Sequence, residues 1–216
     1  AHARFTGPDT VEAAGRTIRA RRFVVATGSR AVLPPIPGLD GVPAMTNETL
    51  FDLKQRPDHL LIIGGGPIGC EMAQAHRQLG ARVTVLDRGA ILPKDDPELT
   101  EVVRARLKAD GVVLLEKVAV QSVSGSAGAI TIAYEDGGQT RDVTGSHLLV
   151  AAGRRAAIDD LGLEAAGIEQ SHGAIRVDDH LRTSNRRVYA IGDCAGSYQF
   201  THLASYHAGI VVRNML

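Results

Sequence analysis

Cysteine is nearly absent from the chain. Of 216 residues only Cys70 and Cys194 are of this type, 124 positions apart (194 − 70). They form no CxxC or CxxxxC pair and no zinc spacing. Two isolated cysteines in a chain of this length suit a reducing cytoplasm, the expected location. Cys70 reads as a small buried apolar residue rather than a reactive thiol. Net charge is missing too, because 24 Lys and Arg balance 24 Asp and Glu. A neutral chain offers no electrostatic footprint to nucleic acid or to an anionic membrane, so neither is expected as a partner. No apolar run approaches the roughly 18 residues of a membrane span. The opening Ala1-His2-Ala3-Arg4-Phe5 has no initiator Met and no apolar signal segment, and so gives no sign of export. What is present, 44% hydrophobic and 22% charged residues, is ordinary globular composition, enough for one large domain or two small ones.

Punctuation by glycine and proline divides the chain. Residues 1–28 read as short strands with polar turns, ending in the apolar run Phe23-Val24-Val25-Ala26 and Thr27-Gly28. Pro34, Pro35, Pro37, Gly38, Gly41 and Pro43 then mark a connector without regular structure. Thr46 to Leu53 has room for two helical turns before Pro57. Next comes an alternation: strand Leu60–Ile63, helix Ile68–Leu79 stopped by Gly80, strand Arg82–Leu86 with Val83 and Val85 on one face. Asp96 is a candidate N-cap with Pro97 at N1. Leu99, Val102, Val103 and Leu107 follow at helical spacing on one face, and Gly111 ends that helix before strand Val112–Leu115. This βαβαβ order predicts a parallel sheet. Residues 118–150, with Ile130–Tyr134, Gly137-Gly138 and His147–Val150, read as a second β-meander. The remainder runs through a strand at Val188–Ile191 to an amphipathic stretch from Thr201 to Leu216.

Gly64-Gly65-Gly66-Pro67-Ile68-Gly69 matches GxGxxG in the context that the motif requires, after an apolar strand and at the start of a helix. Gly64 permits the tight turn, Gly66 lets a pyrophosphate approach the backbone, and Gly69 lets helix and strand pack closely. The helix N-terminus then presents N–H groups to the phosphates. Asp87 ends the second strand 18 residues after Gly69 (87 − 69). An acid there accepts hydrogen bonds from ribose hydroxyls and repels a 2′-phosphate, which favours NAD over NADP; Arg88 beside it softens that preference. Glu71 has two readings from position alone, a nucleotide contact or a complement to the helix dipole. Ile191-Gly192-Asp193 ends a strand with an acid able to meet a polyol, but strand-Gly-Asp is also a common turn. His202 and His207 stand five apart rather than at the four of a helical metal pair, and His172 and His180 lie in loops without evident partners, so no metal site is expected.

An internal echo links the two ends of the alternation. Phe23-Val24-Val25-Ala26-Thr27-Gly28-Ser29-Arg30 is similar to Leu148-Leu149-Val150-Ala151-Ala152-Gly153-Arg154-Arg155, and each follows a meander. The second copy closes a unit that began 89 residues earlier (153 − 64). A matching unit closed by Gly28 would open about 60 residues before position 1 by the same period, which reads as a longer protein whose first dinucleotide domain has lost its opening motif.

Together these features resemble the pyridine nucleotide-disulfide oxidoreductases, the group of dihydrolipoamide dehydrogenase, mercuric reductase and glutathione reductase. The resemblance is carried by Val25–Arg30, Pro37-Gly38-Leu39, Gly64–Glu71, Ala151–Arg155, Leu161-Gly162-Leu163-Glu164, Leu181–Asn185 and Val188–Asp193, in the family's order. It implies an α/β fold, a Rossmann-like βαβ NAD-binding domain with a β-meander, flanked by partial FAD-binding segments. The corresponding boundaries are 1–45 (partial FAD domain with connector), 46–158 (NAD domain) and 159–216 (returning part of the FAD or central domain). NAD(H) would contact Gly64, Gly65, Gly66, Pro67, Ile68, Gly69, Glu71, Asp87, Arg88, Val118 on the adenine side and Gly153 near the nicotinamide half. FAD in the full-length enzyme would contact Thr27, Gly28, Ser29 and, through its ribitol, Asp193. Phe200, Thr201, His202 and Ala204 would open the helix facing the flavin ring. The implied activity is that of a homodimeric flavoprotein of redox homeostasis. It passes hydride between NADH and FAD and exchanges electrons with a cysteine pair outside this chain, with a dithiol or disulfide as substrate. Dihydrolipoamide dehydrogenase is the leading resemblance; a mercuric-type metal-ion reductase and a non-catalytic NAD-binding module are the alternatives. On this reading the chain by itself is inactive and does not hold FAD. Two departures stand out: Pro67 replaces a family Tyr or Val that can cover the flavin, and Gly153-Arg154-Arg155-Ala156-Ala157 replaces Gly-Arg-x-Pro-Asn.

Overall fold

The run Leu60-Leu61-Ile62-Ile63 has no polar residue to turn outward, and in the computed structural model it needs none, because both of its faces are covered. Side chains alternate across a strand. Leu60 and Ile62 join Val83, Val85 and Leu149 against Cys70, Ala73 and Leu107 of two helices. Leu61 and Ile63 join Leu86, Leu148 and Val150 against Val123, Ile130, Ile132 and Tyr134 of a meander. Each fully buried aliphatic side chain contributes about 1.5–3 kcal/mol, so a strand with four of them anchors the layers on both sides.

The structure describes residues 2–196 and 199–215. Two units emerge, Ala31–Gly153 and a second one made from the residues up to Arg30 with those from Arg154 onward. In the first, five parallel strands lie in the order Ala44–Met45, His147–Val150, His59–Ile63, Arg82–Asp87, Val113–Glu116. The helices α1 (Pro67–Gln78) and α2 (Pro97–Ala109) connect consecutive strands of this sheet, and the strands Ala119–Ser126, Ala129–Asp136 and Gln139–Gly145 form the antiparallel meander. Asp96 caps α2 by accepting from the Glu98 N–H at 2.8 Å, with Pro97 at N1. The first and last segments of the unit meet: the Val32 N–H donates to the Gly153 carbonyl at 3.0 Å.

The sequence-based expectations differ from the structure in three places. His147–Val150 is not a meander strand but a central strand of the parallel sheet, since all but its first residue are buried. Thr46–Leu53 makes one 3₁₀ turn, Leu50–Asp52, rather than two helical turns. The apolar stripe on α2 is not one buried face: Leu99 and Val102 are 67% and 68% exposed, and of its members only Leu107, together with Thr100, faces the core. Besides Leu107, α2 is fastened by Arg104, which pairs with Glu116 at 2.9 Å, both half-buried. Glu116 also accepts from the Ile91 N–H at 2.9 Å. Burial alone would raise the Glu116 carboxyl, but Arg104 and that N–H hold it below its usual range. The two compact units divide at 30/31 and 153/154. The connector belongs with the sheet because Ala44–Met45 pairs with His147–Val150 and the Val123 N–H donates to the Pro37 carbonyl at 2.9 Å.

In the second unit the strands Ala3–Gly7, Thr10–Ala13 and Arg16–Arg19 form an antiparallel meander, and Phe23–Val25 pairs in parallel with Val188–Ala190. Phe5, Val25, Ile158, Leu163, Ile175 and Val188 share its core. Asn185 ties the unit together by donating to the carbonyls of Pro8 and Ala166, each at 2.8 Å. Helix α3 (Thr201–Met215) packs Val211 on Leu181 and Tyr189.

Candidate functional site

The glycine turn after His59–Ile63 is crowded at its ends and open in its middle. A Cβ on Gly64 would lie 2.4 Å from the Ala151 carbonyl oxygen, and Gly64 has φ +112°, a conformation that side chains resist. A Cβ on Gly69 would lie 1.9 Å from the Gly64 oxygen. Gly66, the N-cap of α1, has nothing within 4 Å of its Cβ position. The first intrahelical bond runs from the Cys70 N–H to the Gly66 carbonyl at 2.9 Å. Pro67 at N1 has no N–H, so the N–H groups of Ile68 and Gly69 are the donors at this end of the helix.

Asp87 organises the same turn. Its Oδ2 accepts from the Gly65 N–H at 2.6 Å and its Oδ1 from the Gly89 N–H at 2.7 Å, while its carbonyl accepts from the Val118 N–H at 3.0 Å. The structure thereby joins the predicted residues Gly65, Asp87 and Val118, the last of them buried. Arg88 beside Asp87 is exposed, and Gly153, also exposed, follows Ala151-Ala152 after the strand that flanks Gly64. Glu71 is exposed and is the fifth residue of α1, because the helix begins one residue earlier than expected. A dipole effect fades beyond the first turn, which weakens the dipole reading of Glu71. Cys70 is buried; its thiol donates to the Gly65 carbonyl at 3.3 Å and burial pushes it up to about 11.

In the second unit, Thr27-Gly28-Ser29 and Asp193 follow adjacent parallel strands and converge. Ser29 Oγ donates to Asp193 Oδ2 at 2.5 Å, and the Ile191 N–H donates to the Val25 carbonyl at 3.0 Å. Thr27 is exposed and the Gly28 carbonyl accepts from the Ala157 N–H at 2.9 Å. Phe200, Thr201 and His202 are exposed at the start of α3, with the Phe200 and His202 rings stacked at 5.3 Å. Ala204 Cβ would lie 3.3 Å from a Cβ on Gly192, which places this helix start on the Gly192-Asp193 turn. Two contributors were not singled out by sequence. Arg154 donates to Ser29, and buried His207 accepts from the Gly192 N–H at 3.2 Å through Nδ1. Burial lowers the His207 pKa below its ordinary value. Neither pairing has a local signal, since Arg154 and Ser29 are 125 residues apart and Gly192 and His207 are 15 apart.

The family model for pyridine nucleotide-disulphide oxidoreductases matches residues 1–208. The mercuric reductase of Bacillus cereus is 37% identical over 215 residues, which cover 99% of this chain and 34% of that protein. The dihydrolipoyl dehydrogenase of Chlorobaculum tepidum is 37% identical over 205 residues, 91% of this chain and 42% of that one. Among solved structures, the Cu(II) complex of the HOCl-induced flavoprotein disulfide reductase RclA from Escherichia coli matches with a TM-score of 0.92 at 30% identity, over 99% of this chain and 49% of that chain. The chain therefore spans about a third to a half of the length of these relatives.

Proposed function

We propose, on the premise that this chain belongs to the pyridine nucleotide-disulphide oxidoreductase family, that its parallel-sheet unit binds NAD(H) on the Gly64–Gly69 turn and that its other unit contributes part of an FAD site in a longer flavoenzyme. The observation that carries this reading is the contrast within the turn. Gly64 and Gly69 are closed in by backbone, whereas Gly66 stands open at a helix N-terminus, as a pyrophosphate needs. Asp87 holds the Gly65 N–H in place and keeps lone pairs for ribose hydroxyls, since a carboxylate can accept about four hydrogen bonds. Val118 forms an apolar wall on the adenine side; Glu71 and Gly153 serve the nicotinamide half. The Thr27-Gly28-Ser29 segment and Asp193 meet the flavin's polyol, and the start of α3 turns the N–H groups of Thr201, His202 and Leu203 toward the ring, where they stabilise negative charge, the Ala204 N–H being held by the Phe200 carbonyl at 3.1 Å. When bound, the two nucleotides would supply hydride transfer, and the flavin would exchange electrons with a cysteine pair, as disulfide or dithiol, elsewhere in the longer protein.

Calorimetry of this chain with NADH and NADPH tests the nucleotide assignment. NADH is expected to bind at least tenfold more tightly, and equal or tighter NADPH binding removes it. A second reading, a metal-ion reductase, is favoured by the mercuric reductases of Bacillus cereus and Streptomyces lividans, 37% and 36% identical to this chain. NADH oxidation by the full-length enzyme, followed with lipoamide and with Hg(II) in parallel, decides between them.

A further inference from the structure

We infer that Arg154 is a positioning residue for the flavin's polyol: through the hydroxyl of Ser29 it orients the Asp193 carboxylate and leaves Asp193 Oδ1 open. The inference rests on the reading of Asp193 as an FAD contact. It starts from the protons. Arg154 Nε donates to Ser29 Oγ at 2.7 Å and Nη2 donates to the Ser29 carbonyl at 2.9 Å. A guanidinium in a protein keeps its protons and only donates. Ser29 Oγ must therefore accept on that side, and its single hydrogen is directed to its other neighbour, Asp193 Oδ2, at 2.5 Å. The planar fork grips the hydroxyl and the carbonyl of the same residue, so side chain and backbone of Ser29 are held together. Arg154, Ser29 and Asp193 are all half-buried, where such bonds are stronger than in water. Among the described residues no hydrogen bond reaches Asp193 Oδ1, and no ion pair joins Asp193 to Arg154 directly. The carboxylate is thus tied by one oxygen and offers the other to a hydroxyl donor.

The test is a set of double-mutant cycles in the full-length protein, read as the FAD dissociation constant and the visible flavin spectrum. Arg154→Met is expected to weaken FAD binding at least tenfold and to shift the spectrum. Arg154→Lys, which keeps the charge without the fork, should restore less than half of that loss on a logarithmic scale. Arg154→Met and Asp193→Asn should be coupled at least fivefold while Ser29 is present, and less than twofold in a Ser29→Ala background. Circular dichroism and urea unfolding of the same variants report whether the unit that holds Ser29, Arg154 and Asp193 is folded. Independent effects of Arg154 and Asp193, or a coupling that survives Ser29→Ala, overturn the relay alone. A wild-type full-length protein that cannot be reconstituted with FAD overturns the flavin reading and the relay with it.

Discussion

Gly66→Ala and Gly69→Ala add the same methyl group to the same turn, yet their consequences should be opposite. At Gly69 the new Cβ falls 1.9 Å from the Gly64 carbonyl oxygen. Real Cβ atoms essentially never approach closer than 3.0 Å, so helix and turn must separate by more than an ångström. Gly64 cannot yield easily, because its other side faces the Ala151 carbonyl. Overpacking of this kind costs about 1–3 kcal/mol or more. At 2–4 °C per kcal/mol for a chain of this size, a 3 kcal/mol loss lowers Tm by about 6–12 °C. At Gly66 the backbone (φ −71°, ψ −176°) suits alanine and the space is open. Reduced freedom of the unfolded chain stabilises by about 0.4–1 kcal/mol, and alanine's weakness as an N-cap offsets it. Tm should therefore move by no more than about 1–2 °C. On the proposed reading the methyl group would nevertheless stand where the phosphates approach, and NADH affinity should fall at least tenfold, about 1.4 kcal/mol. Differential scanning calorimetry and NADH titration read the two effects separately. A folded Gly66→Ala chain with unchanged NADH affinity, or a Gly69→Ala chain that melts like wild type, would refute the division of labour within the turn.

Asp87→Asn keeps one acceptor but turns an amide N–H₂ toward the N–H of Gly65 or Gly89. Losing one such charge-assisted bond costs about 1.5–3 kcal/mol, so both the urea midpoint and NADH affinity should drop; an unchanged midpoint would show that the two bonds do not order the turn. His59 and His207 are both held below 6.5 by burial. The unfolded imidazoles then bind protons more readily than the folded ones, so stability should fall as pH drops below about 6.5, by at most about 1.4 kcal/mol per pH unit for each. Urea unfolding at pH 7.5 and 5.5 should show a smaller difference in His207→Gln than in wild type. Cys70, with its thiol raised to about 11 and buried, should resist a disulfide reagent at pH 8 until the chain is unfolded; rapid labelling of the native chain would contradict the packing around α1.

The parts of the fold that were legible in sequence are those with local causes. An apolar run bounded by glycine announces a buried strand, and Asp96-Pro97 announces a helix start. Parts decided by distant partners were not. His147–Val150 looks like any meander strand until it is known to lie between Ala44–Met45 and His59–Ile63. The apolar stripe of α2 misled because the helix is held by the Arg104–Glu116 pair, whose members come from a helix and an edge strand, rather than by Leu99 and Val102. The candidate site shows the same division. Gly64–Gly69 and Asp87 were readable from spacing within one βαβ unit. Asp193 was ambiguous by itself, and its link to Ser29 depends on the parallel pairing of Phe23–Val25 with Val188–Ala190.

The hydrogen bond between Val32 and Gly153 bears on inheritance and engineering. A unit whose entrance and exit touch is a cassette: excision leaves a gap that a linker of a few residues can bridge, at little entropic cost. The flanking sequences are then one host chain interrupted in the middle, and the cassette can be exchanged for another of the same kind without rerouting that host. Variation in what the cassette binds can thus accumulate within Ala31–Gly153 while the host keeps its own core.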